Sequence, residues 1–264
     1  MVGWTRMPEG HGQGREREQE QRTAPERLSI APQHFYRTAA LPCPYLPGKA
    51  ERKLVTELAG RHASAFYNEL SRAGFRRSHH LAYRPACIGC SACVPVRIPV
   101  VHFEESRSLR RIRNANRDLL RRCLEAEATL EQFRLFQRYQ RSRHAESDMA
   151  AMTFGDYQAM VEDSPVATKM IELRDPAGVL MGGGLYDPLD DGLSAVYSFC
   201  APEAAKRSLG TLLVLALVDE ARRRHLDYVY LGYWIAESAK MSYKARFRPL
   251  EALGAKGWRQ ILEP

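Results

Sequence analysis

Three cysteines, Cys87, Cys90 and Cys93, stand at C-x₂-C-x₂-C spacing in a loop framed by arginine and proline between Tyr83 and Arg97. Thiols at this spacing converge on one point from a single tight turn, which is what zinc or an iron–sulfur cluster asks of its ligands. A fourth ligand is needed. Cys43, in Leu-Pro-Cys-Pro-Tyr-Leu-Pro-Gly, is the other cysteine set among turn residues, whereas Cys123 and Cys200 fall in predicted regular elements and read as ordinary thiols. The fourth cysteine that ferredoxin spacing places three residues on is missing. Cys43, Cys87, Cys90 and Cys93 are therefore candidate ligands of zinc or a four-iron cluster. The alternative is a metal-free loop shaped by its prolines.

The loop lies in the densest positive charge of the chain. Residues 61–122 hold 13 arginines and no lysine against four acids (Glu69, Glu104, Glu105 and Asp118), a balance of +9 in a protein whose net charge is +8. Such a patch can follow a phosphate backbone, and its alternative is a solvated arginine-rich face. No run approaches the roughly 18 apolar residues of a membrane span, and the N-terminus lacks a signal-peptide core. A cytoplasmic protein is expected, with no membrane partner. Six cysteines in 264 residues do not make a disulfide scaffold, so clustered ones read as ligands or reactive thiols.

These residues must be positioned by the rest of the chain. Residues 1–33, rich in Gly, Gln, Glu, Arg and Pro, are expected to form a disordered leader, with order beginning near Phe35. Residues 51–72 show a broken helical pattern interrupted at Gly60. A strand is expected to enter the cysteine loop through residues 74–85, carrying His79 and His80, which could supply metal ligands or a general base but read first as one packed and one solvated ring. Another leaves it through residues 94–103. A basic helix is expected from Ser108 to Glu125 and a second from about Leu130 to Arg143. Three strands follow, in residues 167–175, 178–188 and 192–200, and Gly182–Gly184 in the second reads as a bulge or close backbone approach. An amphipathic helix (Ser208–Arg224), a buried strand (residues 227–235) and a short helix (236–247) complete the pattern. A seam is expected between residues 115 and 150, dividing a domain over 34–125 from one over 126–264.

Strand, glycine-containing turn, helix and strand in this order resemble the core of a GNAT-type acyltransferase, in which N–H groups at a helix N-terminus cradle a phosphate-bearing acyl carrier. Arg207-Ser208-Leu209-Gly210-Thr211-Leu212 is similar to the first half of that family's carrier-binding signature. Leu212 replaces its second small residue, which argues against coenzyme A. A plain helix start capped by Ser208 is the alternative.

Several segments in order are more specific. LPCPYLPGK, AFYNELSRAGFRRS, LAYRPACIGCSACVPVRI, FEESRSLRRIRNANRDL, LSAVYSF, RSLGTLLVLALVDEAR, YVYLGYWI and KMSYKARFRPLEAL resemble the bacterial aspartate/glutamate leucyltransferases, relatives of the arginyl-tRNA–protein transferases, over residues 34–260. The resemblance implies an α+β fold, with a cysteine-bearing N-terminal domain joined to a GNAT-like acyltransferase domain. It implies transfer of leucine from Leu-tRNA to the N-terminal α-amine of proteins beginning with Asp or Glu, marking them for N-degron degradation. The partners are then aminoacyl-tRNA and such proteins, not DNA, and the chemistry requires no cofactor because the ester is already activated. Arg76, Arg77, Arg84 and Arg97 become candidates for the acidic N-terminal residue, since arginine pairs bidentately with carboxylates. Tyr197, Tyr233 and Lys240 are the catalytic candidates on the rim of the cleft. Arg107, Arg110, Arg111, Arg113, Arg207, Gly210, Tyr243 and Lys244 are assigned to tRNA. The rival readings are arginyl transfer, a coenzyme A-dependent N-acetyltransferase, and a redox-sensing RNA-binding protein without catalysis.

Overall fold

The computed structural model describes residues 33–261, so all of the expected leader except Gln33 lies outside the described residues. Strands β1 (Tyr36–Arg37), β2 (Leu41–Pro42), β3 (Ala50–Glu51) and β4 (Lys53–Glu57) open the chain, with β2 and β3 forming a two-stranded ladder of their own. Gly60, at φ +74°, turns the backbone into helix α1 (Ala63–Arg72). The broken helical pattern over 51–72 is therefore a strand and a helix. Lys53–Glu57 is drawn into a ladder by its partner strand, an effect that periodicity does not report.

Strands β5 (Arg76–Ser78) and β6 (Leu81–Pro85) form a hairpin where one strand was expected, because His79, at φ +51°, reverses the chain. The small antiparallel sheet runs β1-β4-β6-β5. Beyond the cysteine loop come β7 (Val94–Pro99), α2 (Arg107–Asn114) and β8 (Leu120–Glu125). The basic helix expected as far as Glu125 thus ends early. Asn116 donates from Nδ2 to Ile112 O (2.8 Å) and Arg207 O (3.0 Å), fixing a turn after which the chain pairs with β9. Every residue of β8 is exposed, so no alternation marked it as a strand.

Helix α3 (Leu130–Arg143) matches expectation and opens on a capping box of Thr129 and Gln132. Helix α4 (Phe154–Glu162) opens on another, made by Thr153 and Asp156. Strands β9 (Lys169–Arg174), β10 (Leu180–Pro188) and β11 (Gly192–Cys200), helix α5 (Leu209–Arg223) and strand β12 (Tyr228–Trp234) follow in the predicted order. The short helix expected next is a 3₁₀ turn (Ser242–Arg246), and β13 (Glu251–Gly254) and β14 (Gly257–Gln260) close the described chain.

The large sheet runs β14-β13-β7-β12-β11-β10-β9-β8, with β11–β12 its parallel pair. Two of its strands, β7 and β8, precede residue 126, and β7 lies inside the sheet. The two expected domains therefore share one sheet, and residues 33 onward form one compact unit. The α+β class holds.

Helices α3 and α5 cover opposite faces of the sheet. A Cβ on Gly183 would stand 2.7 Å from the ring of Phe199, which packs on Phe136 of α3, whereas one on Gly184 would face Leu213 of α5. The close approach expected at Gly182–Gly184 is thus a matter of packing. Each leucine that α5 buries contributes about 1.5–3 kcal/mol relative to exposure, and Leu209, Leu212, Leu213, Leu215 and Leu217 are all buried. A second core of Leu58, Tyr67, Leu70, Phe75, Ala82 and Tyr230 joins α1 and the small sheet to the large one.

Candidate active site

Strands β11 and β12 pair only from Gly192 to Ser194 and from Tyr228 to Tyr230, then part. Carbonyls exposed by the divergence need donors. Arg76 of β5 supplies them, its Nη2 donating to Ala195 O (2.9 Å) and Val196 O (2.7 Å). Gly232 leaves room for it. At φ +73° a Cβ there would lie 2.6 Å from Arg76 Cζ, and the β7–β12 ladder shifts register between Tyr230 and Gly232.

Arg76 is half-buried yet pairs with no carboxylate. Burial works against its charge, and the strongest groups favouring it are the phenols of Tyr83, Tyr233, Tyr67 and Tyr45. Its Nε and Nη1 have no hydrogen-bond partner among the described residues. Beside it, Lys244 is 4% exposed and donates from Nζ to Tyr233 O (2.6 Å). Burial, and then the charge of Arg76, hold its amine well below the usual lysine range. The hydroxyl of Tyr233 lies 3.0 Å from both Gly74 O and Tyr83 O, and burial raises its pKa. Burial and Tyr83 push the Tyr45 phenol up to about 12.

Further aromatic groups lie near this point. Tyr243 is exposed and interacts electrostatically with both Arg76 and Cys200, and Cys200 does so with Tyr139 and Tyr197. Tyr197 Oη accepts from Gln140 Nε2 (2.6 Å), whose second contact is Met149 Sδ at 3.8 Å. The charges acting on Tyr139, Tyr197, Cys200 and Tyr243 come from Arg143 and Arg76, with no carboxylate among them in the described residues.

The expected site residues separate. Arg76, Tyr233, Tyr243 and Lys244 gather at the divergence, and Tyr197 lies apart, bonded to Gln140 and packed on Phe136. Arg77 does not join them. Its side chain is 1% exposed and paired bidentately with Asp187 at 2.8 Å, a staple between the small sheet and β10. Arg97 is paired with Glu251 (2.7 Å) and lies against the rings of Tyr228 and Trp258. Both arginines are committed to holding the fold and have no fork left for a substrate. Arg84 is exposed, donates to Ala73 O (3.2 Å), and lines a cleft of about 730 Å³ with Cys87, Cys90 and Cys93. Lys240 is exposed and acts on His144, at the end of α3.

Arg107, Arg110 and Arg111 are exposed on α2, as a phosphate-contacting surface requires. Arg113 is not free, being engaged with Glu105 and Asp219. Arg207 is bonded to Asn116 Oδ1 (2.8 Å) and paired with Asp118. Gly210 has open space around it at the start of α5, which Ser208 enters in a left-handed conformation without a side-chain cap. Sequence reading missed Gly232, although a glycine within a predicted strand signals a close approach. It also missed Arg117, which with Arg113, Arg121 and Asp219 lines a basic cleft of about 340 Å³.

Cys43, Cys87, Cys90 and Cys93 lie close enough to interact. Burial, and then Cys43, Cys87 and Cys90, push the Cys93 thiol up to about 11. Arg52 N donates to Cys87 Sγ (3.4 Å), and Lys49 Nζ lies 3.9 Å from Cys90 Sγ. Among the described residues no group of three such side chains is arranged to hold a metal ion. The donor types fit a thiolate site, but the sulfurs do not close into a coordination shell.

Two family models match, arginine-tRNA-protein transferase N terminus over residues 41–111 and C terminus over residues 131–254. The aspartate/glutamate leucyltransferase of Paramagnetospirillum magneticum is 57% identical over 230 residues, covering 87% of this chain and 94% of its own. That of Rhodospirillum rubrum is 55% identical over 230 residues, covering 86% and 93%. Among solved structures, L-PGS from Bacillus licheniformis aligns over 69% of this chain and 52% of its own, with TM-score 0.44 and 11% identity. FemX aligns over 69% and 63%, with TM-score 0.42 and 7% identity. By its matched halves and by these relatives, the chain belongs to the aspartate/glutamate leucyltransferase family.

Proposed function

We propose that the protein moves leucine from Leu-tRNA to the N-terminal α-amine of polypeptides beginning with Asp or Glu, acting in the cytoplasm and marking them for degradation. The observation that carries this is Arg76, a half-buried cation with free donors and no carboxylate of its own, at the divergence of β11 and β12. An acidic side chain is the partner it lacks, and a guanidinium already held by two carbonyls can pair with one without reorganising. The acceptor amine then attacks the ester carbonyl of the aminoacyl-tRNA. The carbon–oxygen bond to the terminal ribose breaks, and the departing oxygen takes a proton. The ester is activated, so the protein positions two substrates and manages protons and an oxyanion.

The exposed arginines of α2 and the open N-terminus of α5 support a tRNA partner. No carboxylate is among the groups acting on Tyr139, Tyr197, Cys200 and Tyr243, which favours a leucyl over an arginyl donor if the donor side chain lies there, since arginine would need an anion. The cysteine cluster is read as a brace for the loop, and Cys43, Cys87, Cys90 and Cys93 are the residues that would have to draw together to hold zinc or an iron–sulfur cluster. No step of transfer passes through it. Elemental analysis of the purified protein tests that assignment, and protein free of zinc and iron would overturn it.

The function is tested by incubating the protein with Leu-tRNA or Arg-tRNA and peptides beginning with Asp, Glu, Asn or Ala, and weighing the products. Leucine is expected on the Asp and Glu peptides alone, and Arg76→Gln abolishes the preference for Asp over Asn. Acetyl transfer from acetyl-CoA without tRNA would sink this reading.

A further inference from the structure

Removing a proton from the acceptor's α-ammonium needs a base, and no histidine or carboxylate is among the groups acting most strongly on Arg76 or on Lys244. We infer that Lys244, a buried amine bonded to the Tyr233 carbonyl, is that base and takes the proton from the α-ammonium of the acidic N-terminal residue. This inference rests on the role proposed above for Arg76.

Three observations carry it. Lys244 is 4% exposed, and its Nζ makes one hydrogen bond, to Tyr233 O at 2.6 Å. An amine that donates one hydrogen to that carbonyl keeps a lone pair, whereas an ammonium would hold two further donors without a described partner. The groups acting on it are Arg76 from β5 and Cys93 from the cysteine loop. Its own turn carries Tyr243, and β12 presents the Tyr233 carbonyl. Burial first, and then Arg76, favour the neutral form, against a smaller opposing effect of Cys93. Lys244 also lies beside the guanidinium that takes the acceptor's carboxylate, and the α-nitrogen of an Asp or Glu is only a few bonds from that carboxylate.

The step balances. The Nζ lone pair accepts one proton from the α-ammonium, and the freed amine attacks the leucyl carbonyl carbon. The second proton, carried on the attacking nitrogen, passes to the departing ribose oxygen as the ester bond breaks. Lys244 then releases its proton to water. The assignment of Lys244 to tRNA is replaced by this one, and Lys240, exposed near His144, is not the base.

The experiment measures kcat and KM for an Asp-initiated peptide with Leu-tRNA, for the wild type and for Lys244→Gln, which keeps a donor for Tyr233 O. General-base catalysis contributes about 10²–10⁴-fold. A fall in kcat of roughly 100-fold or more at pH 6.5 is therefore expected, with KM for the peptide within about threefold. An α-ammonium titrates in solution near 7.7–8.0, so the deficit should narrow about tenfold by pH 8.5. A deficit independent of pH, or one confined to KM, would overturn the inference. Should Lys244→Gln fail to fold, lysine-selective ¹³C NMR of the wild type decides. One lysine is expected to be neutral at pH 7, and every lysine titrating near its ordinary value refutes it. If the wild type transfers no leucine, the reading of the cleft fails. If it transfers leucine and the variant keeps its kcat, this inference alone fails.

Discussion

Gly232→Ala puts a methyl group where Arg76 now lies. The new Cβ would stand 2.6 Å from Arg76 Cζ and closer still to Nη1, far inside van der Waals contact. The backbone at φ +73° costs an L-residue about 1–2 kcal/mol. The larger effect is on the guanidinium. To relieve the clash it must leave Ala195 O and Val196 O, and so lose the position from which it is proposed to meet the acceptor. Loss of one partner of a buried charge pair costs about 2–5 kcal/mol, or roughly 30- to several-thousand-fold in kcat/KM. The assay compares kcat/KM for Asp- and Glu-initiated peptides at saturating Leu-tRNA, with thermal melting to verify the fold. Gly155→Ala, whose Cβ would find only Thr153 Oγ1 at 3.7 Å, serves as the control and should be silent. If Gly232→Ala keeps kcat/KM within about twofold and melts like the wild type, the role given to Arg76 is wrong.

Arg77→Met leaves Asp187 buried and unpaired, a loss of about 3–5 kcal/mol. At about 2–4 °C per kcal/mol for a unit of this size, calorimetry should show Tm lower by roughly 6–20 °C. The double variant Arg107→Gln/Arg111→Gln should leave Tm unchanged and reduce the salt slope of tRNA binding by about two. An unchanged slope removes these arginines from the tRNA surface. Lys244 also links stability to pH. Its folded pKa lies below the unfolded value of about 10.4, so between the two the unfolded chain binds a proton the folded one does not, and stability gains with rising pH. Urea titrations should show the wild type gaining on Lys244→Met from pH 7 to 9. Parallel curves would mean that Lys244 is charged when folded.

Between Leu130 and Trp234, helices α3 and α5 and strands β9 to β12 were legible, whereas helix α4 (Phe154–Glu162) was not expected. Helix α5 and strands β9, β10 and β12 are mostly buried and rich in apolar residues, and composition marks such segments. Strand β8 was not legible, since all six of its residues are exposed and an edge strand with no buried face leaves no period. The hairpin at His79 was hidden for a related reason. A left-handed histidine is a conformational choice fixed by the strands on either side of it.

The sequence by itself determined the family, through the order of its segments, and the chemistry its arginines can perform. It could not rank those arginines. Arg76 and Arg77 are adjacent in one strand, yet alternation of side chains sends Arg77 to Asp187 and Arg76 into the divergence of β11 and β12. Whether a guanidinium is a staple or a receptor depends on which carboxylates lie near it. For Arg77 and Arg97 those come from more than a hundred residues away, and only the tertiary structure brings them there or keeps them away. Lys244 follows the same logic. Its character comes from burial beside another cation, and only the packed chain supplies that environment.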